Sequence, residues 1–202
     1  MKVSVIGDGA WGTALALNMI ANGHNVQLWG AFPEYLTEVE ARRENYKFLP
    51  GVSLPRELRL TCDISEAVTG QDMIVLATPT QFLRGVLQKM SVCFDHNTPV
   101  INVAKGIENN TWKRISQIVA DELGEVDFTD LSGPSHAEEV ARRVPTAVVA
   151  ASENRKSAQT VQKLMMNEKF RVYTSEDGYE SLCDQLSRTT TQSLYSLRCR
   201  NQ

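Results

Sequence analysis

A glycine-rich turn near the start of the chain has the residue types and spacing that point most directly to chemistry. Residues 3–6 read Val-Ser-Val-Ile, which is typical of a buried strand, and Gly7, Gly9 and Gly12 follow as G-x-G-x-x-G. In such a turn the first glycine permits the bend, the second lets a pyrophosphate approach the backbone, and the third lets a helix pack on the strand. We predict a dinucleotide-binding turn that opens a helix at Trp11. The alternative is a glycine-rich turn without a ligand.

Three further loops follow predicted strands, at the sheet edge where open α/β folds bind ligands. They are residues 77–81, 102–107 and 132–139. The first is placed to pack along a cofactor, or is a Thr-Pro strand end in which Thr80 caps a helix. In the second, Lys105 can reach a phosphate or a polarised carbonyl, while a solvated lysine is the alternative. In the third, backbone N–H groups and the Ser135 hydroxyl can hold an anion, unless Ser132 or Ser135 is only a helix N-cap.

These loops require a regular α/β framework, and strand-like and helix-like patterns alternate to about residue 174. The predicted strands are 2–6, 25–29, 58–61, 73–77, 100–103, 126–131, 146–151 and 171–174. This alternation predicts an α/β, Rossmann-type doubly wound fold, with a mostly parallel sheet and helices on both faces. Asp63, in a capping box with Glu66, and Ser152 are predicted helix N-caps, and residues 45–56 are predicted to form a surface loop.

The composition excludes several classes of protein. The 202 residues are 42% hydrophobic and 22% charged, as in ordinary globular proteins. A formal net charge of −3 gives no reason to expect nucleic acid or an anionic membrane as partner. No apolar stretch approaches membrane-spanning length, the first strand leaves no room for a signal peptide, and the four cysteines form no C-x-x-C. We therefore expect a cytoplasmic protein with reduced, mostly buried thiols.

Nine segments share their order and spacing with one enzyme family. They are GDGAWGTALA at 7–16, NGH at 22–24, LWG at 28–30, FLPG at 48–51, LP at 54–55, VAKGIE at 103–108, LSGPSHAEEV at 131–140, PTAVV at 145–149 and FRVYTS at 170–175. Together they resemble the NAD(P)-dependent glycerol-3-phosphate dehydrogenases of the bacterial type. The likeness extends through Asp177.

This resemblance implies an activity and a set of site residues. The activity is hydride exchange at C2 between sn-glycerol 3-phosphate and dihydroxyacetone phosphate, which feeds phospholipid synthesis. The implied cofactor-binding residues are Gly7, Gly9, Ala10, Trp11, Gly12, Lys105 and Ala137, the last at the nicotinamide end. The implied substrate-binding residues are Lys105, Gly133 and Ser135. The Lys105 ammonium would stabilise negative charge on the C2 oxygen or on the phosphate.

The end of the second predicted strand bears on the choice between NAD and NADP. In this fold an acidic residue there binds the ribose 2′-hydroxyl, and an arginine binds a 2′-phosphate. Here the segment reads Gly-Ala-Phe-Pro-Glu at 30–34, and the nearest basic pair is Arg42 and Arg43. Phe32 is predicted to stack on adenine and Glu34 to reach the ribose. We expect NAD or NADP and favour NAD, because nothing obvious neutralises a 2′-phosphate.

After Asp177 the sequence departs from the family pattern. The resemblance implies a glycine-rich apolar helix with a Lys-Asn pair, whose lysine is the general acid/base, and then a second helical domain. Residues 178–202 match neither. Arg188 lies near the expected spacing, but a guanidinium with a pKa above about 12 cannot exchange a proton near neutrality. We therefore assign no catalytic acid/base, and read the chain as truncated by a shifted reading frame or an aberrant end of the coding sequence.

The predicted organisation is a dinucleotide-binding domain at 1–177 and a divergent tail at 178–202, which is a marginal helix or disordered. Two functions stay open: the family's oxidoreductase activity, and a catalytically incomplete domain that binds NAD(P) without turnover. We expect the 202-residue chain alone to have little or no activity. A missing second domain would expose apolar surface, which favours self-association into a homo-oligomer.

Overall fold

An eight-stranded sheet organises residues 1–175, the part of the chain that the computed structural model describes. Its strands are β1 (Lys2–Ile6), β2 (Asn25–Trp29), β3 (Arg59–Thr61), β4 (Met73–Leu76), β5 (Val100–Asn102), β6 (Phe128–Ser132), β7 (Thr146–Ala151) and β8 (Phe170–Ser175). The helices are α1 (Ala10–Ala21), α2 (Pro33–Arg42), α3 (Ile64–Val68), α4 (Thr80–Ser91), α5 (Ile115–Leu123), α6 (Ala137–Ala141) and α7 (Arg155–Met165). The predicted tail and Arg188 lie outside the described residues.

The order of the strands is β3-β2-β1-β4-β5-β6-β7-β8. Six of the seven neighbouring pairs are parallel, and β6 with β7 is antiparallel. The chain runs outward from β1 through β2 to β3 and then returns to β4 on the other side of β1. The carboxyl ends of β1 and β4 therefore flank the topological switch point, where folds of this kind bind ligands.

Two hydrophobic layers cover the sheet. Buried side chains of α1, α2, α6 and α7 pack on one face, and those of α3, α4 and α5 pack on the other. Within β1, Val3 and Val5 belong to the first layer and Ile6 to the second, and all three are fully buried. A strand that is buried on both faces has a continuous apolar sequence, and this is why the run of apolar residues predicted β1. The predicted doubly wound, mostly parallel sheet is confirmed.

Two predicted helix caps need correction. Asp63 does cap α3, since its carboxylate accepts from the N–H groups of Ser65 at 2.8 Å and Glu66 at 3.3 Å. The Glu66 carboxylate, however, accepts from the Thr61 hydroxyl at 2.6 Å, so the capping box is one-sided. Ser152 does not cap α7. That position belongs to Asn154.

Ser152 does not cap α7 because its hydroxyl bonds the neighbouring strand β6. The Asn154 side chain accepts from the Lys156 N–H, while the Ser152 hydroxyl donates to the carbonyl of Phe128 at 2.7 Å. Small differences also occur at element ends: α1 begins at Ala10 rather than Trp11, and several strand ends shift by one or two residues. Such shifts follow from fraying at element ends.

Residues 45–56 form a cover over the first layer rather than a simple surface loop. The loop has no helix or strand, as predicted, but Asn45, Leu49 and Leu54 are buried. Its leucines join the hydrophobic core beside α1 and α2. The loop is therefore part of the folded domain and carries a polar side chain into it.

Three properties of the described residues bear on the sequence predictions. Within residues 1–175, no helix is long and apolar enough to cross a membrane. The same residues contain no group of three or more His, Cys, Asp or Glu side chains that could hold a metal ion. Cys62 is exposed, against the predicted burial, whereas Cys93 is partly buried and packs against the second hydrophobic layer.

Candidate functional site

The glycine turn after β1 packs so tightly that two of its three glycines are required by the protein itself. Gly7 has φ +130°, and a Cβ there would lie 2.7 Å from the backbone carbonyl carbon of Ala77. A Cβ on Gly12 would lie 2.1 Å from the Gly7 carbonyl oxygen. The turn and the first helical turn of α1 are thus in backbone contact, as the fingerprint requires.

Gly9 has a different environment. A Cβ at this position would meet no protein atom within 4 Å, and Gly9, Ala10 and Trp11 are partly exposed. Across residues 1–175, no side chain caps α1 at Gly9, and its first turn holds no acidic residue. Uncapped N–H groups and the positive end of the helix dipole favour an anion here. The open space and the free helix start fit the pyrophosphate of a dinucleotide.

The loop after β4 lies beside this turn. The Thr78 hydroxyl donates to the Ile6 carbonyl at 2.9 Å, and the Ala77 N–H donates to the same oxygen at 2.9 Å. The predicted cap at Thr80 is wrong, because Pro79 holds the N-cap position and Thr80 is the first residue of α4. The Thr80 hydroxyl instead donates to the Lys105 carbonyl at 2.8 Å.

The start of α4 fixes the loop that carries Lys105. Besides the bond from Thr80, the Gln81 amide donates to the Ile107 carbonyl at 2.9 Å and accepts from the Asn109 N–H at 2.9 Å. Gly106 has φ +114°, a conformation that glycine adopts most readily. The Lys105 backbone is therefore held in place while its side chain is exposed.

A buried polar pair supports the same loop from below. The Asn102 amide donates to the Asp130 carboxylate at 2.7 Å, which joins the ends of β5 and β6. The Asn102 side chain also accepts from the Ala104 N–H at 3.1 Å and donates to the Ala104 carbonyl at 3.2 Å. Burial raises the pKa of Asp130, and the bond from Asn102 opposes this shift. The pair fixes the residue just before Lys105.

The Lys105 side chain meets the loop after β6. Its ammonium lies 3.5 Å from the Gly133 carbonyl oxygen, which also accepts from the Ser135 hydroxyl at 3.3 Å. A Cβ on Gly133 would lie 2.7 Å from the Ala147 carbonyl, so this loop packs directly on β7. The structure thus brings together Lys105, Gly133 and Ser135, the three residues that the resemblance assigned to the substrate.

The remaining predicted residues lie around these two centres. Ala137 is buried at the start of α6, in the hydrophobic layer that includes α1. Neither serine caps α6, because the N-cap position is His136; the Ser135 hydroxyl points to Gly133, and the buried Ser132 hydroxyl has no partner among the described residues. Phe32 lies just before α2 with 66% of its surface exposed. Its predicted contact with adenine stays a prediction.

Sequence reasoning missed two acidic residues at this edge of the sheet. Asp130 carried a signal, since it and Asn102 lie near the ends of adjacent predicted strands. Asp8, in the second position of the glycine motif, carried no such signal, because its environment is formed by residues that are distant in sequence. Burial raises the pKa of Asp8, opposed in part by a backbone hydrogen bond. The backbone carbonyl of Asp8 accepts from the buried Asn45 amide at 2.7 Å, which ties the cover loop to the glycine turn.

A doubly wound sheet with a glycine turn at its switch point defines the class of Rossmann-type dehydrogenase domains. The model of one family, described as NAD-dependent glycerol-3-phosphate dehydrogenase N-terminus, matches residues 2–158. The chain belongs to this family, as the sequence motifs predicted.

Relatives and solved structures agree with this assignment. Glycerol-3-phosphate dehydrogenase [NAD(P)+] of Bacillus pumilus is 44% identical over 179 residues, covering 87% of this chain and 52% of that protein. The enzyme of Geobacillus kaustophilus is 46% identical over the same shares. The crystal structure of glycerol-3-phosphate dehydrogenase from Coxiella burnetii superposes with a TM-score of 0.83 at 32% identity, covering 87% of this chain and 54% of that chain. The chain thus spans about half the length of the curated relatives it matches.

Proposed function

We propose that this chain is the NAD(P)-binding part of a glycerol-3-phosphate dehydrogenase. The observation that carries the proposal is that two sites lie at one edge of the sheet. One is the glycine turn after β1 with the open space at Gly9, here called the glycine cradle, and the other is the cluster of Lys105, Gly133 and Ser135 after β5 and β6. Parallel strands bring both to the edge where a dinucleotide and its substrate meet in this fold. The family match supports the same function.

The cofactor site consists of the glycine turn and the loops beside it. Backbone N–H groups at Ala10, Trp11 and Gly12 are aligned to bind the pyrophosphate, and Gly9 leaves it room. Phe32 is exposed beyond β2, where it can stack on the adenine. Ala137 lies at the nicotinamide end in this proposal. When bound, the cofactor supplies or accepts the hydride.

Lys105 is the residue proposed to act on the substrate. Its ammonium contacts only a carbonyl oxygen at 3.5 Å within the described residues, so it can turn to an anionic ligand at little cost. A positive charge there stabilises the negative charge that develops on the C2 oxygen, or holds the phosphate. Gly133 and Ser135 lie beside this ammonium and offer a backbone carbonyl and a hydroxyl group to the same substrate. The substrates are dihydroxyacetone phosphate and sn-glycerol 3-phosphate. Both carry a negatively charged phosphate group that the Lys105 ammonium can bind.

A second candidate function concerns the proton that carbonyl reduction requires. Reduction of the C2 carbonyl also needs a proton on its oxygen, and the 202-residue sequence contains no lysine after Lys169. A domain with the cofactor cradle but without that donor binds NAD(P) and turns over little substrate. We therefore expect this polypeptide by itself to bind cofactor with little or no activity.

The partners and location follow the same proposal. The net charge of −3 disfavours nucleic acid as a ligand, and the substrates are small phosphate esters. We propose a cytoplasmic site of action. Self-association into a homo-oligomer is part of the proposal, and its direct measurement is the sedimentation velocity of the purified chain.

Fluorescence of NADH and NADPH on the purified chain tests the function. Trp11 lies at the cradle, so binding is expected to transfer excitation energy from protein to cofactor. Dihydroxyacetone phosphate is then added to the same cuvette. Binding without oxidation supports the cofactor-binding function, and oxidation at a rate typical of enzymes, about 1–1000 per second, supports the complete enzyme. Absence of binding to either cofactor contradicts both.

A further inference from the structure

The end of β2 lacks the acidic side chain that usually selects NAD, and a carboxyl group from the glycine turn after β1 lies in its place. The residue after β2 is Gly30, whose N–H donates to the Thr61 carbonyl at 3.1 Å. A Cβ built on Gly30 would lie 2.5 Å from Oδ2 of Asp8 and 2.7 Å from its Cγ. Leu36 Cδ1 lies 2.3 Å from the same position, so the Leu36 side chain and the carboxyl group of Asp8 together occupy the space where a side chain of residue 30 would begin.

This carboxyl group lacks a partner on one of its oxygens. Oδ2 of Asp8 is buried, and no group within residues 1–175 hydrogen-bonds to it. A buried acceptor without a donor is destabilising, and more so when it is charged. Asp8 as a residue is only partly buried, and it directly precedes Gly9 in the glycine turn. A ligand hydroxyl would supply the missing donor to this group.

The basic side chains of the neighbouring segments are engaged elsewhere. The Arg43 guanidinium donates to Glu40 at 2.6 Å and to the Leu58 carbonyl at 3.0 Å. The Arg42 guanidinium stacks on the Tyr46 ring at 4.2 Å, and the Lys47 ammonium lies 4.5 Å from the centre of the Tyr35 ring. The local charge next to Gly30 is thus the carboxyl group of Asp8.

We propose that Asp8, rather than a residue of β2, recognises the adenosine ribose and makes this site select NAD over NADP. The inference rests on the proposed cofactor-binding function. A ribose 2′-hydroxyl donates a hydrogen bond to the Asp8 carboxyl group. A 2′-phosphate brings acceptor oxygens and negative charge against it, which is unfavourable without a cation. Asp8 is a specificity-determining residue in this scheme.

Paired binding measurements on wild type and three variants test the assignment. The dissociation constants for NADH and NADPH are measured with wild type, Asp8→Asn, Asp8→Ser and Glu34→Gln. Asp8→Asn keeps the shape of the side chain and removes its charge, and Asp8→Ser covers the case in which the amide misfolds the turn. Glu34→Gln tests the other carboxylate at this end of the cofactor. Thermal unfolding without cofactor checks each fold.

The expected result is a change in the ratio of the two affinities. Wild type binds NADH more tightly than NADPH, and the Asp8 variants shift this ratio toward NADPH by about tenfold or more, the effect of one charge-assisted hydrogen bond. Their melting temperatures without cofactor stay equal to or above that of wild type, because the lost oxygen had no partner.

Three outcomes overturn the assignment and separate it from the proposed function. If the Asp8 variants bind both cofactors with the wild-type ratio, Asp8 does not select, and the cofactor-binding function stands. If Glu34→Gln moves the ratio and the Asp8 variants do not, Glu34 is the specificity residue. If wild type and all variants bind neither cofactor, the proposed function fails and this inference fails with it.

Discussion

The side-chain amide of Asn102 lies 2.7 Å from the carboxylate of Asp130, and this bond joins β5 to β6 directly below the Lys105 loop. Asn102 is buried and Asp130 is partly buried, and the Asn102 side chain also binds both backbone groups of Ala104. One amide thus satisfies a partly buried carboxylate and fixes the first residue of the loop. The geometry of the proposed substrate site therefore depends on this pair through the backbone of Ala104.

Replacing Asn102 by alanine should therefore destabilise the domain. The substitution leaves the partly buried Asp130 carboxylate without its hydrogen bond from Asn102, which costs about 1–3 kcal/mol in the free energy of unfolding. Urea unfolding followed by circular dichroism measures this change. Asn97→Ala is the matched control, because Asn97 is exposed and its side chain bonds only Asp95 among the described residues. Equal stability of the two variants would show that the buried pair contributes nothing.

Single methyl groups in the glycine turn should separate folding from binding. Gly12→Ala forces a Cβ to 2.1 Å from the Gly7 carbonyl oxygen, so we expect a loss of several kcal/mol or failure to fold. Gly9→Ala meets no protein atom within 4 Å, so the fold should persist while cofactor binding weakens about tenfold or more.

Gly85→Ala is the control for these variants. Gly85 lies within α4 with open space at its Cβ position, so alanine should raise stability by up to about 1 kcal/mol and leave binding unchanged. Thermal melts and NADH titrations on the three proteins give both quantities. Wild-type cofactor affinity in Gly9→Ala would contradict the placement of the pyrophosphate over this glycine.

Removal of the Lys105 charge should affect the substrate more than the cofactor. Lys105→Met keeps most of the side-chain length, and its loss of charge should weaken binding of dihydroxyacetone phosphate to the NADH complex by about tenfold or more. Lys89→Met, on the exposed side of α4, removes the same charge outside the proposed site. Titration of the NADH complex with the substrate measures the effect. Similar losses in both variants would indicate net charge rather than a specific contact.

The sequence predicted the parts of the fold that depend on neighbouring residues. Continuous apolar runs such as Val3 to Ile6 and the glycine spacing after them are local patterns with local causes, so the strands and the turn could be located. Helix caps were harder to predict, because a polar side chain can hydrogen-bond either its own helix or a group that is distant in sequence. Ser152 bonds the distant Phe128 carbonyl instead of its own helix, and no local pattern contains that choice.

The parts of the site that were missed depend on long-range contacts. The carboxyl group of Asp8 lies next to Gly30, and that of Asp130 accepts a hydrogen bond from Asn102, which is 28 residues away. Asn45 lies in a segment predicted as a surface loop, yet its buried amide donates to Asp8 O and to the Thr13 hydroxyl, both at 2.7 Å. Polar side chains in loops are ambiguous in a single sequence, because burial decides whether they are solvated or structural.

A cluster of charged side chains around Arg84 should make the stability of the fold depend on pH. The Arg84 guanidinium bonds the carboxylates of Glu108 at 2.8 Å, Asp121 at 3.1 Å and Glu122 at 2.5 Å, which joins α4 to α5 and to the loop before it. The bonds from Arg84 and from the Thr111 hydroxyl lower the pKa of Glu108 from 4.5 to about 2. The ionised form of Glu108 is therefore favoured in the folded state.

A lowered pKa in the folded state fixes the sign of the effect. The contribution of Glu108 to stability is fully present above about pH 4.5 and is lost as the pH falls through about 2. Wild type should thus be more stable than Glu108→Gln at pH 6, and the difference should shrink as the pH falls from 5 to 2. Glu57→Gln removes a carboxylate from an exposed position and controls for net charge. A stability difference between wild type and Glu108→Gln that stays constant over this range would show that Arg84 does not stabilise the charged form of Glu108.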